Sequence, residues 1–291
     1  MTGTVGVVGG GIMGSGIAEV AARAGFDVLV REVDEVAATS GRRRLGASLA
    51  KAVRAGKLTD TEHDVVLERL SFTTDLSDMA DREVVIEAVV EDEAEKVAIF
   101  SALGRITSPD CLLASNTSSI PIMKLAAVTA HPERVIGMHF FNPVPVLPLV
   151  ELVPSLLTAP ATVMRAEEFA GGALAKRTVL SKDRAGFVVN ALLIPYLLAA
   201  VRMVESGFAS AEDVDTAMVS GCAHPMGPLA LADLIGLDTI HAVAESMYAE
   251  FKEPLHASPP LLLRMVEAGL LGRKSGRGFF DYAQDRRVTA A

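Results

Sequence analysis

Two residues fit for proton chemistry stand out because of what surrounds them. The stretch MHFFNPVPVLPLVELV, residues 138–153, is apolar and broken by three prolines, yet it holds one histidine, His139, and one carboxylate, Glu151. A carboxylate hydrogen-bonded to one imidazole nitrogen fixes the tautomer and raises the basicity of the ring. The other nitrogen is left to take a proton near neutral pH. Fully extended, the intervening residues would span roughly 40 Å at ~3.3 Å each, so the two meet only if the chain reverses. Pro143 and Pro145 suit a turn better than a ladder, and 145 is the midpoint between 139 and 151. A hairpin-like reversal centred there would set the pair opposite each other on one face. From these residues alone an incidental pair, or a core histidine satisfied by a backbone carbonyl, stays open.

Two polar stretches add to this. ASNTSSIPI, residues 114–122, follows a strand-like run at what should be its carboxyl end, where open α/β sheets bind ligands. Taken alone, such a Ser/Thr/Asn cluster also suits ordinary turn chemistry. SKDRAGFVVNALL puts Asn190 on the first turns of a long apolar helix, facing a cleft or capping a partner element.

A third constellation is built for phosphate. Val5, Val7 and Val8 read as a buried strand, Gly9, Gly11 and Gly14 follow in GxGxxG spacing, and a helix runs on to Gly25. In such a turn the first glycine permits the bend, the second admits a pyrophosphate to the backbone, and the third lets helix and strand pack closely. The helix then offers unsatisfied N–H groups and a positive dipole end. The run FDVLVRE ends a second strand at Glu32, about 20 residues on, where an acid accepts from the adenosine ribose hydroxyls and repels a 2′-phosphate. NAD is therefore favoured over NADP, with Arg31 beside it as a counterweight.

Elements to position these groups recur along the chain. Strand-like runs lie at 83–89, 111–115, 134–141 and 146–153, with helical spacing in EDEAEKVAIFSAL between the first two. Strands alternating with helices indicate a doubly wound, mostly parallel sheet of Rossmann type. Residues from about 36 to 70 are too many for a simple crossover and read as a helical hairpin insertion carrying Arg42, Arg43, Arg44, Lys51, Arg54 and Lys57. That run is either a solvated helix face or a landing strip for phosphates. After about Arg184 only helices are expected. One is a long helix with Pro195 as a kink, another runs from a Ser210 cap to a stop at Gly221. The division expected is thus 1–184, a nucleotide-binding domain, and 185–291, an all-α domain, with the ligand in a cleft between them. So apolar a helical domain suggests burial against a second subunit.

Composition narrows the classes further. A formal charge of −9 argues against nucleic acid as a partner. Hydropathy comes from dispersed Ala, Val and Leu, and no window reaches the ~18 unbroken apolar residues of a membrane span. A glycine-rich turn directly after the first strand argues against a signal peptide. Cys111 and Cys222 lack metal or CxxC spacing and read as small buried hydrophobes in a reducing cytoplasm. No metal site is expected.

Together GGGIMGSGIA, VIEAVVED, ASNTSSI, HFFNPVPVLPLVELV, DRAGFVVNALLIPYLL, HPMGPLALADLIGLD and GRKSGRGFFDY resemble, in order and over essentially the whole chain, the (S)-3-hydroxyacyl-CoA dehydrogenases. The resemblance implies NAD-dependent oxidation of a short-chain (S)-3-hydroxyacyl-CoA, such as 3-hydroxybutyryl-CoA, to the 3-ketoacyl-CoA and the reverse. It implies His139 as general base for the 3-hydroxyl, Glu151 as its support, and Ser118 and Asn190 as hydrogen-bond partners of the substrate oxygen. Cofactor contacts would come from Gly9, Gly11, Ile12, Met13, Gly14, Glu32 and Asn116, with Glu87 and Lys96 on the nicotinamide side. CoA contacts would come from the hairpin, at Ser48 and Lys57, and the protein would be a cytoplasmic homodimer joined through the helical domain. Glu32 departs from the usual aspartate, and Ala185 from a frequent proline. A lysine-based rival group is disfavoured because residues 186–189 hold no lysine. The same chemistry on a carrier-protein thioester or on a sugar acid such as L-gulonate stays open, as does a non-enzymatic protein on this scaffold, though one would have no need of all four catalytic groups.

Overall fold

The computed structural model describes residues 3–282. The chain divides into two compact units, Met1–Arg184 and Ala185–Ala291. In the first unit the strands are β1 (Thr4–Val8), β2 (Asp27–Arg31), β3 (Leu70–Thr73), β4 (Val84–Glu87), β5 (Leu112–Ser115), β6 (Val135–Phe140), β7 (Leu149–Pro154) and β8 (Arg177–Leu180). They form one sheet in the order β3-β2-β1-β4-β5-β6-β7-β8. Every pairing is parallel except β6 with β7. Central strands are unbroken apolar runs because helices cover both faces, and Val5, Val7, Ile86, Leu112 and Ile136 are at most 1% exposed.

The helices of this unit are α1 (Ile12–Arg23), α2 (Glu35–Arg54), α3 (Asp60–Glu68), α4 (Glu93–Ile106), α5 (Ile122–Ala127) and α6 (Pro160–Glu167). Their starts are written in side chains. Asp34 caps α2, Thr59 and Glu62 form a reciprocal capping box on α3, and Asp92 caps α4. For α5 the cap comes from far along the chain, where the Asp183 carboxylate accepts from the N–H groups of Ile122 and Met123. The expected helical hairpin is α2 and α3. Two strands were not anticipated. Both β3 (LSFT) and β8 (RTVL) are four-residue edge strands without a fully buried face, so neither carries the apolar run that marks a central strand. The run at 83–89 is consequently the fourth strand, not the third.

The second unit is helical: α7 (Val189–Glu205), α8 (Ala211–Cys222), α9 (Pro228–Ile235), α10 (Leu237–Phe251) and α11 (Pro260–Glu267). Its core gathers Leu197, Leu198, Val201, Leu229, Ile240 and Met247. Pro195 sits inside α7, which runs on past it. Ser210 caps α8 as expected, but the helix passes Gly221 and ends on Ala223 in the left-handed region. Cys222 is exposed there, against the expectation of a buried thiol, while Cys111 is buried and its pKa is pushed up to about 11 by that burial. Asp215 caps α9 through Leu229 and Ala230. Asp233, fully buried on α9, accepts from the N–H groups of Phe279 and Phe280 and from the Tyr282 hydroxyl, tying down GRKSGRGFFDY. Among the described residues no helix is long and apolar enough to cross a membrane.

Candidate active site

The carboxyl ends of β1, β4, β5 and β6 lie along one edge of the sheet, and the candidate groups of the first unit gather on that edge. His139 and Glu151 are direct partners in the β6–β7 register. His139 Nδ1 lies 2.7 Å from Glu151 Oε2, with the histidine 7% exposed and the glutamate 0%. The spacing about Pro145 thus corresponds to a real reversal. Val146 and Leu147 donate to the Pro143 carbonyl, and Lys176 Nζ, reaching in from the chain before β8, donates to the carbonyls of Val144 (2.5 Å) and Leu147 (2.8 Å). The Phe141 ring packs on the imidazole at a centroid distance of 4.5 Å. A carboxylate on Nδ1 of a histidine shielded from water is an arrangement that presents Nε2 as a proton acceptor.

The polar loop after β5 is organised by a residue not singled out from sequence, Glu91. Its Oε1 accepts from the backbone of Ser118 (3.0 Å) and Ser119 (3.2 Å) and from the hydroxyls of Thr117 and Ser119. Ser118 Oγ stands 3.5 Å from the same oxygen. Burial raises the Glu91 pKa, but the Lys96 charge and the hydrogen bonds from Thr117, Ser119 and Ser118 outweigh it and hold the carboxyl below its ordinary value. The neighbouring Asn116 uses its side-chain oxygen to accept the Phe140 N–H at 2.9 Å, tying the loop to the strand end that carries His139.

Glu87 and Lys96 are placed differently from an open cofactor contact. Both are buried, 0% and 1% exposed, and Lys96 Nζ donates to Glu87 Oε1 at 2.6 Å. Glu87 also accepts from the Val89 N–H and the Ser115 hydroxyl, and it closes β4 rather than following it. Their nearer effect is internal. Lys96 also stands 3.3 Å from Glu91 Oε2, so the pair anchors the residue that shapes the Ser118 loop.

The glycine turn has the shape the fingerprint requires. Gly9 has φ +97°, and a Cβ at Gly14 would sit 1.7 Å from the Gly9 carbonyl oxygen, so neither position accepts a side chain. A Cβ at Gly11 would meet nothing within 4 Å, Ile12 is exposed, and Met13 follows it on the first turn of α1. Backbone N–H groups at the head of a twelve-residue helix, bordered by open space, fit a pyrophosphate. Glu32 stands at the end of β2 and accepts the Gly10 N–H through Oε1 at 2.7 Å. Its longer side chain therefore grips the turn with one oxygen. Arg31 is tied to the Thr74 carbonyl.

The basic run divides between roles. Arg42 lies over the Phe72 ring, Arg44 turns inward to the glycine loop, and Arg43, Lys51, Arg54 and Lys57 are exposed. Ser48 donates to the buried Glu19 at 2.5 Å. Ser48 and Arg44 line a cavity of about 160 Å³ with Ile12, Glu19, Asn142 and Pro143, while Lys57 stands on the turn between α2 and α3. In the second unit Asn190 is the second residue of α7 and half-buried.

Comparison with known proteins places the chain among described families. Residues 4–184 match the model of the 3-hydroxyacyl-CoA dehydrogenase NAD binding domain, and residues 186–282 match that of the 3-hydroxyacyl-CoA dehydrogenase C-terminal domain. A 3-hydroxybutyryl-CoA dehydrogenase of Mycobacterium tuberculosis is 64% identical over 279 residues, covering 96% of this chain and 98% of that one. The crystal structure of M. tuberculosis FadB2 superposes with a TM-score of 0.95 at 63% identity, covering 96% of this chain and 98% of that one. The (S)-3-hydroxybutyryl-CoA dehydrogenase PaaH1 of Ralstonia eutropha does so at 0.91 and 43%, with the same coverage.

Proposed function

The chain belongs to the 3-hydroxyacyl-CoA dehydrogenase family, and from that membership we propose how its own residues carry out the reaction. It is an NAD-dependent oxidoreductase, and its substrate is a short-chain (S)-3-hydroxyacyl-CoA, 3-hydroxybutyryl-CoA, oxidised reversibly to the 3-ketoacyl-CoA. The observation that carries this reading is the buried His139–Glu151 pair, opposed in register and 2.7 Å apart.

His139 takes the 3-hydroxyl proton on Nε2, while Glu151 on Nδ1 fixes the tautomer and supports the imidazolium that results. Glu151 is fully buried, so its charge acts on the ring with little screening. Ser118 and Asn190 donate to the substrate oxygen as it becomes a carbonyl and fix the face of C3 that is presented. Gly9, Gly11, Ile12, Met13 and Gly14 hold the cofactor's pyrophosphate, Glu32 its adenosine ribose, and Asn116 with Glu91 borders its nicotinamide end. When bound there, NAD supplies the hydride acceptor. Ser48 and Lys57 on the helical hairpin receive the CoA. The exposed Leu192 and Phe208, 74% and 77% accessible on a helical unit, support a homodimer formed through that unit, and two cysteines that remain thiols fit a cytoplasmic setting.

The test is NADH-dependent reduction of acetoacetyl-CoA. Wild type is expected to turn it over, and His139→Gln to lose a factor of about 10²–10⁴ in kcat, the span of general acid–base catalysis. A wild type inert on acetoacetyl-CoA but active on the corresponding carrier-protein thioester, or on L-gulonate, would sink the CoA assignment.

A further inference from the structure

Arg44 is the member of the basic run whose guanidinium reaches the glycine turn, although the residue as a whole is exposed. Its Nη1 donates to the Gly10 carbonyl at 2.6 Å and stands 3.5 Å from Ser15 Oγ, which donates to the same carbonyl at 2.6 Å. The Gly10 N–H is held by Glu32. The peptide units on either side of Gly10 are therefore each fixed by a side chain, one from β2's end and one from α2. The approach is built in. Gly41, one helical turn before Arg44, brings the α2 backbone so close that a Cβ there would lie 3.4 Å from the Gly10 oxygen.

We propose that Arg44 is a positioning residue for the cofactor: by gripping the Gly10 carbonyl it orients the Gly11 N–H for the pyrophosphate and places a positive charge behind the turn. The proposal rests on the NAD reading above. A trans peptide sends its C=O and N–H in opposite directions. A Gly10 oxygen drawn toward α2 therefore turns the Gly11 N–H away from α2, where a Cβ at Gly11 would meet nothing within 4 Å. Two adjacent glycines have little intrinsic preference against rotating that peptide, so an ungripped turn would spend binding energy on ordering itself. Ser15 cannot do this alone, because its hydroxyl belongs to the helix the turn leads into, whereas Arg44 ties the turn to a separate element. Its charge adds to the positive end of the α1 dipole, in a chain of net charge −9.

Binding without turnover separates this role from others. NADH dissociation constants are measured by fluorescence titration in the absence of acyl-CoA for wild type, Arg44→Met and Arg44→Lys, with ADP-ribose as competitor. Alongside go the unfolding temperature of the cofactor-free proteins and the KM for acetoacetyl-CoA. Arg44→Met is expected to weaken NADH and ADP-ribose equally, by at least about tenfold, because the ungripped turn must be ordered at the expense of binding. Its acyl-CoA KM stays at the wild-type value, its unfolding temperature falls by a few degrees at most because the bond is also made without cofactor, and Arg44→Lys recovers part of both losses. Should the methionine variant not fold, Arg44→Gln carries the same comparison. An unchanged NADH constant overturns the proposal, and so does a rise in acyl-CoA KM without a loss of NADH affinity, which would put Arg44 in the substrate's anion strip. A wild type that fails to bind NADH overturns the NAD reading instead.

Discussion

Ser118 owes its position to Glu91, which follows β4, two strands across the sheet from the one that carries His139. One carboxylate oxygen collects the amides of Ser118 and Ser119 and the hydroxyls of Thr117 and Ser119. Because these partners and Lys96 hold the Glu91 pKa below its ordinary 4.5 despite burial, the ionised carboxylate stabilises the folded loop. That contribution is present above pH 4.5 and is lost as pH falls through the lower folded value. Amide exchange protection at Ser118 and Ser119 should therefore fall on acidification through this range, and in Glu91→Ala it should be low at every pH. Protection unchanged in the variant would show that the loop holds itself. The meeting of His139 and Glu151 was readable from residue types and even spacing about Pro145. Glu91 was not, because its partners lie 26 to 28 positions away, and only the adjacency of β4 and β5 brings them together.

The β6–β7 reversal is held by Lys176, whose ammonium donates to the carbonyls of Val144 and Leu147. Burial and the nearby Arg23 lower the pKa of this lysine, so the two carbonyls offset part of what its charge loses by leaving water. Lys176→Met removes two charge-assisted bonds from a turn otherwise anchored by the buried Val144. A stability loss of about 2 kcal/mol is expected, with kcat falling more than KM because the His139–Glu151 alignment loosens. Denaturant unfolding and steady-state kinetics check this, and an unaltered kcat would limit Lys176 to stability. The central strands could be read from apolar runs, and the hairpin of α2 and α3 from a connection too long for a simple crossover. The edge strands β3 and β8 could not, since four partly exposed residues look like loop until a neighbouring strand pairs with them.

Each of the two units has its own apolar core, and the change from alternating strands and helices to helices alone is a contrast of hydrophobic period that sequence displays directly. The closure of the second unit is hidden from it. Asp233 is buried, and burial raises its pKa while the N–H groups of Phe280 and Phe279 and the Tyr282 hydroxyl pull the other way. Tyr282, beside it, is pushed up to about 12 by burial and by the Asp233 charge. Its protonated form is thus favoured in the folded state. The associated stability is intact below pH 10, the ordinary tyrosine value, and is lost as pH rises through about 12. Spectrophotometric titration should show a late-ionising tyrosine that disappears in Tyr282→Phe. If all three tyrosines of the wild type titrate near 10, Tyr282 is not held by Asp233.

The one antiparallel pairing in the sheet also has a consequence for assembly. Parallel neighbours need a crossover of a dozen or more residues between strands, but only residues 141–148 separate β6 from β7, and His139 and Glu151 are joined by a turn. The dyad is a local contact with a small loop-closure entropy. It can form in a nascent hairpin before the rest of the sheet exists, and a circular permutant opened in a distant loop would keep it whole. Opening the chain between Asn142 and Leu147 would turn the same pair into a long-range contact, with the slower folding that such contacts bring.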